Sequence, residues 1–127
     1  ERVVYCDGKA DRSTGKELQV YGDANLLTLA LINLIRNALQ AVEGQEDGIV
    51  RVDTCAGATG HLLIIITDNG PGIPPERLSA LFTPFFSTKS GGSGIGLPIS
   101  QRIMQLHGGQ LSVSSIPNVR TEFRMEF

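Results

Sequence analysis

The sequence contains no tryptophan, only two cysteines and no long hydrophobic segment. A small disulfide-stapled fold or a zinc site would need more cysteine, and Cys6 and Cys55 lie far apart with no histidine at ligand spacing. We therefore expect both thiols to be reduced and structural, in a cytoplasmic setting. The longest apolar run, residues 62–66, is much shorter than the roughly 20 residues that cross a bilayer.

Neither sign of charge is in large excess. The formal net charge is −2, which gives no reason to expect nucleic acid or acidic lipid as a partner. With 127 residues, 41% hydrophobic and 19% charged, the chain has the composition of one globular domain, residues 1–127. The first residues lack the apolar segment of a secretory signal. They also lack an initiator methionine, so we expect a piece of a longer protein.

Hydrophobic spacing predicts three helices among several strands. Apolar residues recur at helical spacing over residues 25–43, with Asp23 as the expected N-cap. Further helices are expected from the proline pair at 74–75 to residue 81, and over residues 95–106. Strands are expected at residues 2–6, 17–21, 49–55, 61–68, 110–114 and 120–127. Hairpins in place of βαβ repeats indicate an α+β fold, a two-layer sandwich whose mixed, largely antiparallel sheet is covered on one face by three helices.

The glycines indicate a site built from loops. The chain has 15 glycines, and many cluster between residues 70 and 109. Gly92, Gly94 and Gly96 precede a predicted helix, where backbone amides and the helix dipole bind anions. A nucleotide P-loop is excluded because Gly96 is followed by Leu97, and a dinucleotide motif because residues 83–93 form an aperiodic, mobile loop. The alternative to an anion site is that these glycines belong to a plain linker.

Two polar features interrupt apolar elements. Asn33 and Asn37 lie four positions apart on one face of the first helix, where an amide oxygen can ligate Mg²⁺ or simply bond to neighbouring backbone. Asp68 ends an apolar strand just before a tight turn containing Gly70 and Gly72. A partly buried carboxylate there needs a partner, and a metal ion or the turn itself are the alternatives to a ligand.

Four segments occur in a fixed order: NLIRNA at 33–38, DNGPGI at 68–73, FTPFFSTK at 82–89 and GSGIGL at 92–97. Together they resemble the N, G1, F and G2 boxes of the sensor histidine kinases. The resemblance extends from residue 23 to the C-terminus. It implies the catalytic, ATP-binding domain of a two-component kinase, with the Bergerat fold shared by the gyrase, Hsp90 and MutL ATPases. It also implies a flexible ATP lid at about residues 83–95.

The resemblance implies a role for each matched residue. Asn37 would bind Mg²⁺, Asn33 and Gln40 would line the phosphate site, and Asp68 would accept a hydrogen bond from the adenine amine. Thr121 would support the adenine, although Arg120 stands where the family has glycine. The other implied ATP-binding residues are Gly70, Gly72 and Ile73 at the base, and Lys89, Gly92, Ser93, Gly94, Ile95, Gly96 and Leu97 at the phosphates.

The implied partners are ATP, a histidine-bearing dimerisation domain and, for the intact kinase, a response regulator. Phe82, Phe85 and Phe86 would anchor the lid and contact the histidine domain, with core packing as the alternative. Neither His61, at a strand start, nor His107, at a helix end, has the sequence context of a phosphoacceptor. We therefore expect the acceptor histidine on a separate domain, and the isolated piece to be a monomer. The intact kinase is either soluble or membrane-anchored.

Three other functions stay open. An ATPase of the same superfamily would carry a glutamate near Asn33, and residues 25–42 contain no acid. An anti-sigma-type serine kinase would not be expected to carry the Phe85-Phe86 pair. The third is a domain that senses nucleotide without transferring phosphate. Within the histidine kinases, residues 84–89 and 37–42 resemble the nitrogen-regulation branch.

Overall fold

The computed structural model describes residues 3–7, 22–56, 61–82 and 96–127, the first of these as backbone only. Its elements in chain order are β1 (Val3–Asp7), α1 (Ala24–Ala41), β2 (Ile49–Ala56), β3 (Leu62–Asp68), α2 (Pro75–Leu78), α3 (Gly96–Leu106), β4 (Gln110–Ile116) and β5 (Arg120–Glu126). The strand predicted at 17–21 and the loop predicted at 83–93 lie outside the described residues.

The five described strands form one sheet in the order β1-β2-β3-β5-β4. β1 runs parallel to β2, and every other neighbouring pair is antiparallel. The central strand, β3, contains the longest apolar run of the chain, residues 62–66. The predicted α+β sandwich with a mixed, largely antiparallel sheet is therefore confirmed.

One pair of neighbouring strands in the described sheet is parallel. Since β1 and β2 are parallel neighbours and α1 lies between them in the chain, the described strands include one βαβ connection. Parallel strands need a crossover of a dozen or more residues, which α1 supplies. The partner predicted for the first strand, residues 17–21, lies outside the described residues, so that hairpin stays a prediction.

The helix α1 begins at the predicted N-cap. The Asp23 carboxylate accepts hydrogen bonds from the backbone N–H groups of Asn25 (2.9 Å) and Leu26 (3.1 Å). Such a cap satisfies amides that the helix itself leaves unpaired. The predicted helix at 25–43 is thus confirmed with its start one residue earlier and its end two residues earlier.

The core lies between α1, α3 and one face of the sheet. The cross-strand register places Val52, Ile66 and Phe123 in one row on this face, all of them buried. The buried hydrophobic residues are Ala30, Leu34, Ala38, Val42, Val50, Val52, Ile66, Ile103, Met104, Leu111, Phe123 and Met125. α1 and α3 form the covering layer and pack on each other as well as on the strands.

The helix α2 is shorter than predicted. It is a single turn from Pro75 to Leu78, with no buried residue and no side-chain bond at its N-cap, Pro74. The proline pair starts it as expected, but without an apolar face in the core it does not continue to residue 81. No helix in the described part of the chain is long and apolar enough to span a membrane.

The two cysteines are separated in the sheet. The backbone register aligns Cys6 with Val52, three positions from Cys55 along β2. Three strand residues span about 10 Å, and disulfide-bonded Cα atoms lie within about 7 Å of each other. Cys55 is a free cysteine.

Candidate functional site

The most buried acidic side chain among the described residues lies at the end of β3. Asp68 is 2% exposed, and its Oδ1 accepts a hydrogen bond from the Gly70 N–H at 2.9 Å. The register places Asp68 beside Thr121, which is 3% exposed, on the face of the sheet that the helices cover. A carboxylate has about four acceptor positions, and the bond from Gly70 occupies one of them.

Two glycines hold the turn after Asp68 close to its neighbours. A Cβ on Gly70 would lie 2.8 Å from the Ala41 carbonyl oxygen and 2.9 Å from Asp68 Oδ1. Gly72 has a φ of +77°, and its Cβ would lie 2.8 Å from the Ile116 carbonyl oxygen. Both positions therefore need glycine, and the turn lies between the end of α1 and the β4–β5 hairpin.

Ser115 organises the other side of this turn, and sequence analysis missed it. Its Oγ accepts a hydrogen bond from the Ile73 N–H (2.7 Å) and donates to the Arg120 carbonyl oxygen (3.0 Å). It also lies 3.1 Å from Thr121 Oγ1. Since a hydroxyl has one proton, and Ser115 gives it to Arg120, Thr121 is the donor of the third bond. Ser115 thereby joins three of the residues around the turn.

Strand alternation places Ser115 on the same side of β4 as Leu111 and Val113, where a polar residue is unusual, and this was the available signal. Ser112 and Ser114 lie on the opposite, exposed side of the strand. The importance of Ser115 depends on contacts with residues about 40 positions away, which local pattern does not contain. By contrast, Asp68, Gly70 and Gly72 were identified because their residue types are unusual at a strand end.

The two asparagines of α1 are half-buried and share a side of the helix. Asn33 donates from Nδ2 to the carbonyl oxygen of Gly96, at 3.4 Å, which links the middle of α1 to the first residue of α3. Gln40, one turn beyond Asn37, is exposed. Asn33 and Ala41 are eight positions apart, about 12 Å along the helix axis. α1 therefore contacts the start of α3 at one point and the Gly70 turn at another.

Of the remaining predicted site residues, some lie in the described part of the chain and the others outside it. Leu97, half-buried, and Phe82 pack against the core, so Phe82 agrees with the packing alternative. Gly96 has room for a Cβ, whose nearest described atom would be Asn33 Cγ at 3.8 Å. The residues outside the described part of the chain are Phe85, Phe86, Lys89, Gly92, Ser93, Gly94 and Ile95.

The described residues contain no group of three or more histidine, cysteine or acidic side chains suited to hold a metal. Mg²⁺ does not require one, since it takes one or two protein oxygens and completes its shell with water and substrate phosphates. An amide oxygen of α1 fits that demand, so the donor set is compatible with Mg²⁺ that arrives with a nucleotide.

The family of histidine kinase-, DNA gyrase B- and HSP90-like ATPases matches residues 22–127. The chain belongs to this family. Its match includes α1 with both asparagines, the Asp68 turn, and the β4–β5 hairpin that carries Ser115 and Thr121.

Known proteins similar to this chain are sensor histidine kinases. The sensor histidine kinase ZraS of Salmonella typhimurium is 41% identical over 98 residues, which cover 77% of this chain and 21% of ZraS. The chain thus spans about a fifth of that relative. The catalytic domain of the histidine kinase ThkA has a TM-score of 0.76 at 29% identity, covering 98% of this chain and 78% of that domain. Full-length ShkA in complex with AMPPNP has a TM-score of 0.82 at 25% identity, and the match covers 98% of this chain and 25% of ShkA.

Proposed function

We propose that this domain binds Mg²⁺·ATP and presents the γ-phosphoryl group to a histidine on a separate dimerisation domain of a sensor kinase. The observation that carries the proposal is the buried Asp68 carboxylate, held at the end of β3 by a turn that needs both its glycines. Family membership and the AMPPNP complex of the similar ShkA support it.

The adenine would lie against the turn after Asp68. Its exocyclic amine would donate a hydrogen bond to the Asp68 carboxylate. The direction of this hydrogen bond would distinguish adenine from guanine. Gly70 and Gly72 allow the backbone to approach the base closely, and Ile73 and Thr121 complete its surroundings. The network through Ser115 supports this role, because it holds Ile73 and Thr121 in a fixed relation.

The phosphates would extend from that turn along α1 toward the start of α3. The contact of Asn33 with Gly96 supports this direction, because it joins the asparagine helix to a glycine-rich helix N-terminus. We assign Asn37 to Mg²⁺, Asn33 and Gln40 to the phosphate site, and Lys89 with residues 92–97 to the phosphate oxygens. Bound Mg²⁺ would neutralise phosphate charge during transfer.

The chemistry asked of the protein is mainly positioning. Phosphoryl transfer needs the donor and acceptor held in line, with the developing charge stabilised. The described α1 carries no carboxylate to activate water, which favours transfer to an incoming imidazole over hydrolysis. The acceptor domain would contact the region of Phe82, Phe85 and Phe86, and a response regulator would receive the phosphoryl group from the intact kinase.

The histidines of this chain have other surroundings. His107 Nε2 accepts a hydrogen bond from the Asp23 N–H (3.0 Å), and its Nδ1 lies 2.7 Å from the Ile103 carbonyl oxygen. Both ring nitrogens are thus engaged where α3 meets the start of α1. His61 precedes β3 at an exposed position. We therefore place the acceptor outside this chain, and assignment to the nitrogen-regulation branch stays a prediction from the sequence.

Transfer is tested by mixing this domain with Mg²⁺·ATP labelled at the γ-phosphate and the dimerisation domain of the intact kinase as a separate chain. We expect an acid-labile, base-stable phosphoprotein on the added domain, absent when its histidine is replaced by glutamine. An acid-stable product would support the serine-kinase alternative, and phosphate release without an acceptor would support the ATPase. Binding of ATP without either reaction would leave a nucleotide sensor and contradict the transfer proposal.

A further inference from the structure

Four hydrogen bonds converge on Asn69, the residue between the buried carboxylate and the first turn glycine. Its side-chain Oδ1 accepts from the Ile49 N–H (2.7 Å), and its Nδ2 donates to the Asp47 carbonyl oxygen (2.8 Å). Its backbone N–H donates to the Ile49 carbonyl oxygen (3.2 Å), and its own carbonyl accepts from Gln45 Nε2 (3.0 Å). Two of these bonds go to Ile49, the first residue of β2, and the other two go to Asp47 and Gln45 in the connection between α1 and β2.

That connection is itself compact. Val42, the C-cap of α1, is fully buried, and the Gln45 N–H donates to its carbonyl oxygen at 3.0 Å. The Gly48 N–H donates to the Gln45 carbonyl oxygen at 3.2 Å. Gly48 is buried, and a Cβ there would lie 2.8 Å from Val42 Cβ. Residues 42–48 therefore form a rigid extension of α1 and not a loose linker.

Asn69 thus connects the carboxylate at the end of β3 to the helix that carries the two asparagines. We propose that Asn69 is a positioning residue, which holds the adenine-binding Asp68 at a fixed distance from the phosphate-binding face of α1. This inference rests on the proposed function, because it assigns base and phosphates to those two places. The Ala41 oxygen against Gly70 marks the point where the two parts meet.

The chemistry of the side chain explains why asparagine suits this position. One amide accepts from the Ile49 N–H and donates to the Asp47 carbonyl at the same time. Aspartate would keep the first bond but place a carboxylate against the Asp47 carbonyl oxygen. Alanine would lose both. Because both side-chain bonds are exposed, where β3 ends and β2 begins, their loss should affect geometry more than global stability.

The test compares nucleotide binding by Asn69→Ala, Asn69→Asp and the wild type. Asn69→Ala, which loses both side-chain hydrogen bonds, should weaken the binding of both ATP and ADP by about tenfold and reduce the preference for ATP over GTP. The affinity of Asn69→Asp for ATP should lie between those of Asn69→Ala and the wild type. In phosphotransfer assays, KM for ATP should rise while kcat at saturating ATP stays near the wild-type value.

The matched control is Asn25→Ala, which makes the same change at an exposed position in the first turn of α1. It should bind ATP as the wild type does. If Asn69→Ala fails to fold, Gln45→Ala removes only one of the four bonds. It should weaken the binding of ATP and of ADP by the same factor, which should be smaller than that expected for Asn69→Ala. Wild-type affinity in a folded Asn69→Ala would overturn the inference and leave the proposed function intact. Failure of the wild type to bind any nucleotide would instead overturn the proposed function.

Discussion

At the scale of single residues, the site depends on side chains that hold other residues in place. Ser115 uses all its hydrogen-bonding capacity on Ile73, Arg120 and Thr121. It contacts both Thr121, which lies beside Asp68 in the sheet, and Ile73, which ends the glycine turn. A change at Ser115 therefore affects both sides of the proposed adenine pocket without removing any group that we expect to contact the base.

The first prediction concerns this hydroxyl. Ser115→Ala leaves the Ile73 N–H and the Thr121 hydroxyl without their partner, and should lower the free energy of unfolding by about 1–3 kcal/mol. It should also weaken ATP binding, because Ile73 and Thr121 are no longer held together. Urea denaturation and calorimetry measure the two effects.

The control for Ser115→Ala is Ser114→Ala, the neighbouring and exposed serine of the same strand. Its unfolding free energy should stay within about 0.5 kcal/mol of the wild type. Equal effects of the two substitutions would show that the hydroxyl of Ser115 has no special part in the turn.

At the scale of elements, the glycine turn is fitted between α1 and the β4–β5 hairpin. The Asn118 N–H donates to the Pro71 carbonyl oxygen at 2.7 Å, so the hairpin tip is docked on the turn through the backbone. Ile116 is also part of this contact, since its carbonyl oxygen lies against Gly72. Packing of one loop on another thus defines the position of the turn.

The second prediction separates that docking from backbone strain. Gly44 and Gly72 both have positive φ, +81° and +77°, but nothing lies within 4 Å of a Cβ on Gly44. Gly44→Ala should lose about 1 kcal/mol of stability from the left-handed backbone alone. Gly72→Ala should lose more and also weaken ATP binding, because its Cβ meets the hairpin backbone. Equal unfolding midpoints for the two variants would contradict the docking.

Some of these elements could be predicted from the sequence and others could not. α1, its Asp23 cap and the strand ending at Asp68 have strong local signals, namely helical spacing, a capping residue and an apolar run. The parallel pairing of β1 and the short α2 depend on which surfaces are available in the folded sheet. Asn69 and Ser115 likewise act through residues about 20 and 40 positions away, so their residue types alone gave no indication of a role.

At the scale of the whole molecule, the helix layer and the sheet bring together three segments that are distant in the chain. The middle of α1 contacts the start of α3 through Asn33 and Gly96, and the end of α1 contacts the turn after β3 through Ala41 and Gly70. The other face of the sheet carries the ion pairs of Arg51 with Asp53 and of Arg124 with Glu122, both at 2.9 Å. These exposed pairs add little stability, and they provide a carboxylate for comparison with Asp68.

The most direct test of the account is calorimetric titration of ATP, with and without Mg²⁺, into the wild type, Asp68→Asn and Asp53→Asn. We predict Mg²⁺-dependent binding by the wild type and by Asp53→Asn, which changes a carboxylate to an amide on the opposite face of the sheet. Asp68→Asn should lose this binding, because an amide nitrogen would face the adenine amine. Full binding by Asp68→Asn, or none by the wild type, would contradict an adenine pocket at the end of β3.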